Sequence, residues 1–225
     1  VTSSVTQQGG TTFARRFIIG DIHGCWRTLR ALLDKAGLNE ADEVISIGDM
    51  VDGGGNSAGV LRYFRHTPHV RAIMGNHERK HVWSYRGQVA AGDAQVETRA
   101  QIGEADYPAA LAWMAALPNY LDLPEALLVH GFYLPGVPLT GQPPMVLTGT
   151  LEGEALVRER CAWPWYEHYD GEKPLIVGHR DYTGQQQVLN FRDRVFGLDS
   201  RCVYGGNLSG LLLPEFRVVQ VRSCE

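Results

Sequence analysis

The chain has 225 residues, of which 44% are hydrophobic and 20% charged, and its net charge is −4. This is the length and composition of one sizeable soluble domain with a buried core. With no long basic run, the balance argues against an obligate nucleic-acid partner, and no apolar stretch reaches the roughly 18 residues of a membrane span.

Residues 1–12, rich in Ser, Thr, Gln and Gly, are expected to be a disordered leader. The missing initiator Met leads us to expect a trimmed N-terminus. A single domain is expected over 13–225. Its first apolar run, Phe17-Ile18-Ile19, stops at Gly20-Asp21-Ile22-His23-Gly24. Trp26, Leu29, Leu32, Leu33 and Ala36 then fall at helical spacing, and Gly37 closes that helix. A second run, Val44-Ile45-Ser46-Ile47, stops at Gly48-Asp49-Met50-Val51-Asp52-Gly53. Asn56 or Ser57 caps a helix carrying Val60, Leu61 and Phe64, which Pro68 ends. A third run, Val70 to Met74, stops at Gly75-Asn76-His77-Glu78. This order predicts parallel strands joined by crossover helices, with all three polar junctions at the carboxyl ends where ligands collect.

Residues 79–117 are Ala-rich and read as a helical insertion containing a helix from Pro108 to Leu117. Tyr120–Leu123 and Leu127–Val129 read as a hairpin about Pro124-Glu125-Ala126, and 131–150 as a long loop. Glu152–Arg160 is predicted to be a short helix and Leu175–Val177 a buried strand ending at Gly178-His179. From Gln187 onward, short apolar runs alternate with turn signals, the grammar of an antiparallel sheet.

Asp21, His23, Asp49, Asn76, His130 and His179 each follow or close a strand-like run. A single Gly-Asp or His at such a place is usually a turn or a hydrogen-bonded core residue. Jointly they form a mixed carboxylate, imidazole and amide set suited to Mn²⁺, Fe²⁺, Zn²⁺ or Mg²⁺, without the cysteines of a structural zinc site. Two such ions can clamp a phosphate, and Asp49, central in the order, is the natural bridging carboxylate.

The motifs Gly20–Gly24, Gly48–Gly54, Gly75–Glu78, His130-Gly131 and Gly178-His179, with the tail Leu198 to Gly206, resemble the phosphoprotein-phosphatase branch of the calcineurin-like metallophosphoesterases, in particular its bacterial and phage members. The resemblance runs from about Phe17 to Leu213. It implies a four-layer α/β/β/α sandwich of two mixed sheets, with two divalent ions, Mn²⁺ the first expectation. It implies Asp21, His23 and Asp49 as ligands of one ion and Asp49, Asn76, His130 and His179 as ligands of the other. His77 would be the general acid, oriented by Asp52. The implied reaction is hydrolysis of a phosphomonoester by direct attack of metal-bound hydroxide, on phosphoserine, phosphothreonine or phosphotyrosine of a phosphorylated protein or on a small phosphoester. Dinucleoside polyphosphate hydrolysis, seen in related bacterial proteins, is the alternative, and a degenerate metal-dependent binding module ranks last.

One departure stands out. The family carries an arginine after the second Asp, but here that position is Gly53, followed by Gly54 and Gly55. A phosphate grip is missing there, so either the mouth is wider or another arginine replaces it. Arg158 and Arg160 resemble the family's second arginine, and Arg180, after Gly178-His179, is a third candidate for substrate binding. Trp163, Trp165, Tyr166 and Tyr169 are expected to pack a loop onto the core, with substrate stacking as the other reading. The N-terminus lacks the order of a signal peptide. Cys25, Cys161, Cys202 and Cys224, with no C-x-x-C pair, read as free thiols. A cytoplasmic monomer without a membrane partner is therefore expected.

Overall fold

The structure, a computed structural model, describes residues 13–225. The leader expected at 1–12 lies outside the described residues. Strand β1 (Arg15–Ile19), helix α1 (Trp26–Ala36), strand β2 (Asp42–Ser46), helix α2 (Ser57–His66) and strand β3 (Val70–Ala72) make the expected alternating unit, with both strand pairings parallel. Local chemistry sets the boundaries. Gly37 stops α1 in a left-handed conformation with φ of 62°, which a side chain at that position would resist. The Asn56 side chain caps α2 by accepting the Gly59 N–H at 2.8 Å.

Helices α3 (Asn76–Tyr85), α4 (Asp93–Ile102) and α5 (Tyr107–Ala115) follow. The helical region thus begins three residues before the expected 79, inside the Gly-Asn-His-Glu motif. The cause is Glu78, at the third position of α3, whose carboxylate accepts the Gly75 N–H at 3.0 Å and starts the helix there.

The second sheet contains β4 (Tyr120–Asp122), β5 (Leu127–Val129), β6 (Leu175–Val177), β7 (Leu189–Phe191) and β8 (Val195–Gly197), in the order β4-β5-β6-β8-β7. The predicted β4–β5 hairpin is present. Strands β9 (Asn207–Leu213) and β10 (Arg217–Arg222) return to the first sheet, ordered β10-β9-β1-β2-β3. Two expectations need correction. The tail is not uniformly antiparallel, because β8 runs parallel to β6. All three residues of β8 are buried, as a strand covered on both faces must be. The stretch 131–150 is not all loop: it holds a 3₁₀ turn at Leu139–Gly141 and a short helix α6 (Pro144–Leu147), followed by α7 (Leu151–Arg160). Proline at the start of α6 fixes φ where no N–H is needed.

Alternation along the strands builds the layers. Ile18 of β1, Leu128 of β5 and Ile176 of β6 meet in a core between the two sheets. Phe17 and Ile19 point the other way, onto Leu29 and Leu32 of α1 and Val60 and Phe64 of α2. Leu127, Val129, Leu175 and Val177 face a third core with Val146, Val157 and Trp165. The result is an α/β fold of two mixed sheets flanked by helices. Truncating a residue such as Ile18 to alanine should cost about 2–5 kcal/mol.

Candidate metal centre

Five strands from two sheets stop at one edge. There β1 hands over to Asp21 and His23, β2 to Asp49, β3 to Asn76 and His77, β5 to His130 and β6 to His179. Hydrogen bonds join the sheets at this edge. His130 Nδ1 donates to the Ile47 carbonyl at 2.9 Å and the His179 N–H reaches both Asp21 oxygens at 3.0 Å, while within the second sheet the Gly178 N–H donates to the His130 carbonyl at 2.9 Å. His23, Asp49, Asp52 and His179 all take left-handed backbone, with φ of 49°, 50°, 72° and 67°. For residues with a Cβ this costs on the order of 1 kcal/mol or more each and persists only where the surroundings over-determine it.

Two groups of donor atoms able to hold a metal form here, one from His23, Asp49 and His77 and one from Asp49, His130 and His179, each within 4.8 Å of one another. Asp49 belongs to both. Asn76 Oδ1 lies 2.9 Å from His130 Nε2 and 2.9 Å from His179 Nδ1, so it joins the second group. Asp21 falls in neither and turns both oxygens to the His179 N–H.

The electrostatics fit cations. Burial, then the neighbouring Asp199 and Asp49, push the Asp21 carboxyl well above the usual range, an excess of negative charge that a bound ion relieves. Burial disfavours a charged His130, yet Asp49 outweighs it and raises its pKa to about 10. That proton stands where a cation would. Burial and the His130 charge hold His179 down to about 3, so its ring is neutral and offers a lone pair. His23 Nδ1 donates to the carbonyls of Val51 and Asp52 at 3.1 and 3.2 Å, which leaves Nε2 facing Asp49 at 3.7 Å. Imidazole nitrogens fixed from behind and aimed at carboxylate oxygens are the donor set of a divalent ion.

His77, a member of the first donor group, also pairs with Asp52 at 2.7 Å, Nδ1 donating to Oδ2. Burial lowers the His77 pKa, but Asp49 and Asp52 more than reverse this and carry it to about 9. Asp52 in turn is held far below the usual carboxylate range: burial opposes its charge, but hydrogen bonds from His77 and His81 prevail. His81 Nε2 donates to Oδ1 at 2.9 Å, Thr98 Oγ1 to Oδ1 at 2.8 Å and Gln95 Nε2 to Oδ2 at 2.5 Å. Helices α3 and α4 therefore supply the anchors of Asp52. Glu78, fully buried, accepts the N–H groups of Asp49 at 2.9 Å, Met50 at 2.7 Å and Gly75 at 3.0 Å, clamping two of the strand-end junctions together. Sequence reading gave no role to Glu78, His81, Gln95, Thr98 or Asp199. Glu78 and Asp199 lay within motifs already singled out, and His81 stands four residues after His77 on one helical face; Gln95 and Thr98 carried no signal.

The three arginines are placed less simply. Arg158 and Arg180 both pair with Glu154, and Arg158 also lies over the Trp163 ring at 3.9 Å. Arg160 is exposed and makes no ion pair among the described residues. Trp165 is fully buried, and Tyr166 and Tyr169 pack against the same core, so these aromatics have the structural role expected of them. Trp163, 40% exposed, is the member that faces outward. At Gly53, φ is 92° and an added Cβ would come within 2.8 Å of the Val203 side chain. Neither the backbone nor the space there suits an arginine.

The sequence model of the calcineurin-like phosphoesterases matches residues 14–205. The chain belongs to the calcineurin-like phosphoesterase family. As such it is a metal-dependent phosphoric-ester hydrolase with a dinuclear metal-binding site. Among its relatives, the symmetrical bis(5′-nucleosyl)-tetraphosphatase of Aromatoleum aromaticum is 25% identical over 92% of this chain and 96% of its own length. That of Shewanella baltica is 30% identical over 50% of this chain and 42% of its own length. A solved structure of a candidate diadenosine tetraphosphatase superposes with a TM-score of 0.79 at 24% identity, covering 97% of both chains. A cold-active protein-tyrosine phosphatase of Shewanella reaches 0.57 at 16% identity, over 92% of this phosphoesterase and 77% of that chain. Among the described residues no helix is long and apolar enough to cross a membrane.

Proposed function

We propose that this phosphoesterase hydrolyses dinucleoside polyphosphates, cutting a P1,P4-tetraphosphate symmetrically into two nucleoside diphosphates. The observation that carries this reading is the end-to-end correspondence with a symmetrical tetraphosphatase. The first expectation, a phosphoprotein substrate, has less support: the protein phosphatases among the structural neighbours are 15–18% identical and share the fold alone. A non-catalytic binding module has least, because two groups of donor atoms able to hold a metal share Asp49 at the strand ends.

Asp21, His23 and Asp49 would hold one ion, and Asp49, Asn76, His130 and His179 the other; Mn²⁺ suits this mixed set. When bound, the ions supply Lewis-acid charge at the phosphoryl oxygens. His77 has Nδ1 committed to Asp52, which leaves the Nε2 proton for the departing oxygen. Asp52 keeps the ring protonated and aimed. Asn76 and Asp49, each touching two imidazoles or more, hold the donors in register.

The test is product analysis. The Mn²⁺-loaded enzyme is given diadenosine tetraphosphate, and phosphopeptides in parallel. ADP as the sole nucleotide product, at a kcat/KM well above that for any phosphopeptide, is expected. Efficient phosphate release from phosphopeptides with intact diadenosine tetraphosphate would overturn the proposal.

A further inference from the structure

Of the five tryptophans, Trp163 alone is exposed. Its neighbour Trp165, two residues on, is fully buried and belongs to the core beneath the second sheet, whereas Trp163 stands outside that core. The Arg158 guanidinium lies over the Trp163 ring at 3.9 Å. This contact orients the indole without sealing it, because the Arg158 side chain is itself half exposed. Two planar groups in contact, both open to water, make a ledge on which a third planar group can stack, as nucleobases do on aromatic rings and guanidinium planes.

Two chains of contact tie this ledge to the metal edge. The first runs through rings. Phe132 meets Trp163 edge-on with centroids 6.3 Å apart, and meets His179 edge-on at 5.2 Å. Trp163 is therefore no farther from a donor imidazole of the second metal group than those two steps allow. The second chain runs through charges. Arg180, the residue after His179, pairs with Glu154 of α7, and Arg158, one helical turn along, pairs with the same carboxylate. His179 is only partly buried, and the Arg180 and Arg158 side chains are close to half exposed. The strip from His179 through Arg180 and Arg158 to Trp163 is thus open to solvent along its length. Two guanidinium groups share one carboxylate there, which leaves an excess of positive charge. The order matters as much as the charge: the arginine next to His179 comes first and the aromatic ring last. A ligand following the strip has its anionic groups toward the metals and its planar group away from them, which is the layout of a nucleotide.

We propose that Trp163, capped by Arg158, is the platform for one base of the substrate, with the phosphates between that base and the reacting phosphorus passing Arg158 and Arg180. The proposal rests on the dinucleoside reading for the substrate's identity, but not for the binding of a nucleotide. Calorimetric titration of the metal-loaded enzyme with ADP and with inorganic phosphate tests it, in wild type, Trp163→Ala and Trp163→Phe. Loss of the stacking ring should weaken ADP binding roughly tenfold in Trp163→Ala, with phosphate affinity changed less than twofold. Trp163→Phe, which keeps a ring, should lose less. It also stays informative if Trp163→Ala loses stability, because a stacked base quenches indole fluorescence: ADP should quench the wild type clearly more than Trp163→Phe. Unchanged ADP affinity in Trp163→Ala, equal losses for ADP and phosphate, equal quenching in wild type and Trp163→Phe, or no ADP binding to wild type would overturn the platform. The two readings fail separately. An enzyme that binds ADP through Trp163 yet leaves diadenosine tetraphosphate intact keeps the platform and loses the substrate. One that cleaves diadenosine tetraphosphate with the same KM in Trp163→Ala keeps the substrate and loses the platform.

Discussion

The floor of the site and its rim are built on different principles. On the floor, Asp49, Asp52, Glu78, His81 and His130 are all at most 2% exposed, and each makes hydrogen bonds that fix its orientation. On the rim stand Gly53 and Gly55, exposed and without side chains, and Arg158 and Arg180, which share one glutamate. A buried polar network admits little change, because any member left unpaired costs its full desolvation. An exposed rim can change residues at small cost. The contrast teaches that reaction class and substrate choice are carried by separate parts of this molecule, the first rigid and the second open to revision.

The comparison is most exposed to failure at Asp49, which both donor groups share. Asp49→Asn should reduce turnover to background on every substrate, measured with an aryl phosphate and with diadenosine tetraphosphate alike. Next comes His77→Asn. Removing a general acid costs roughly 10²–10⁴-fold, but the size should depend on the leaving group. A phosphate oxygen, with a pKa of about 6, departs with less need of a proton than an alkoxide. Rate loss should therefore be smaller on diadenosine tetraphosphate than on an alkyl phosphate, and equal losses would argue against His77 as proton donor.

Asp52→Asn should cost less, roughly 10–100-fold, and should be visible in the pH dependence. In chelated protein His77 is raised from its ordinary 6.5 to about 9. Its ion pairs stabilise the fold fully below pH 6.5, and that contribution is lost as pH rises through 9. NMR titration of the His77 ring should place its midpoint near 9 in wild type and clearly lower in Asp52→Asn. A midpoint unmoved by the substitution would remove Asp52 from its role. The smallest effect belongs to the rim. Gly53→Arg should destabilise by about 1–2 kcal/mol because φ is positive there, read as a lower melting temperature. It should not raise phosphomonoester turnover; a rise would mean the rim is a damaged site and not an open one.

Legibility in the sequence divides along similar lines. The first half of the fold could be read because each parallel strand is an apolar run cut by glycine and each helix has a cap, Asn56 for α2 and Gly37 for α1. The second half was harder, since β4 to β8 are three residues long and β8 takes its place beside β6 through pairings distant in the chain. Donor residues were legible as polar groups at strand ends. What holds them was not. Gln95 and Thr98 reach Asp52 from α4, whose sequence has no feature that points to a site, and the left-handed backbone at His23, Asp49, Asp52 and His179 falls on residues that ordinarily avoid it. The absent arginine at Gly53 was plain in the sequence, but the Val203 side chain that closes on that position was not.

Metal stoichiometry tests most directly whether one carboxylate serves two ions. Elemental analysis of wild type and Asp49→Asn, after loading with Mn²⁺ and removal of excess ion, should find two ions per wild-type chain and neither held tightly in the variant. A wild type that saturates at one ion, or an Asp49→Asn chain that keeps two, would contradict a centre built around one shared carboxylate.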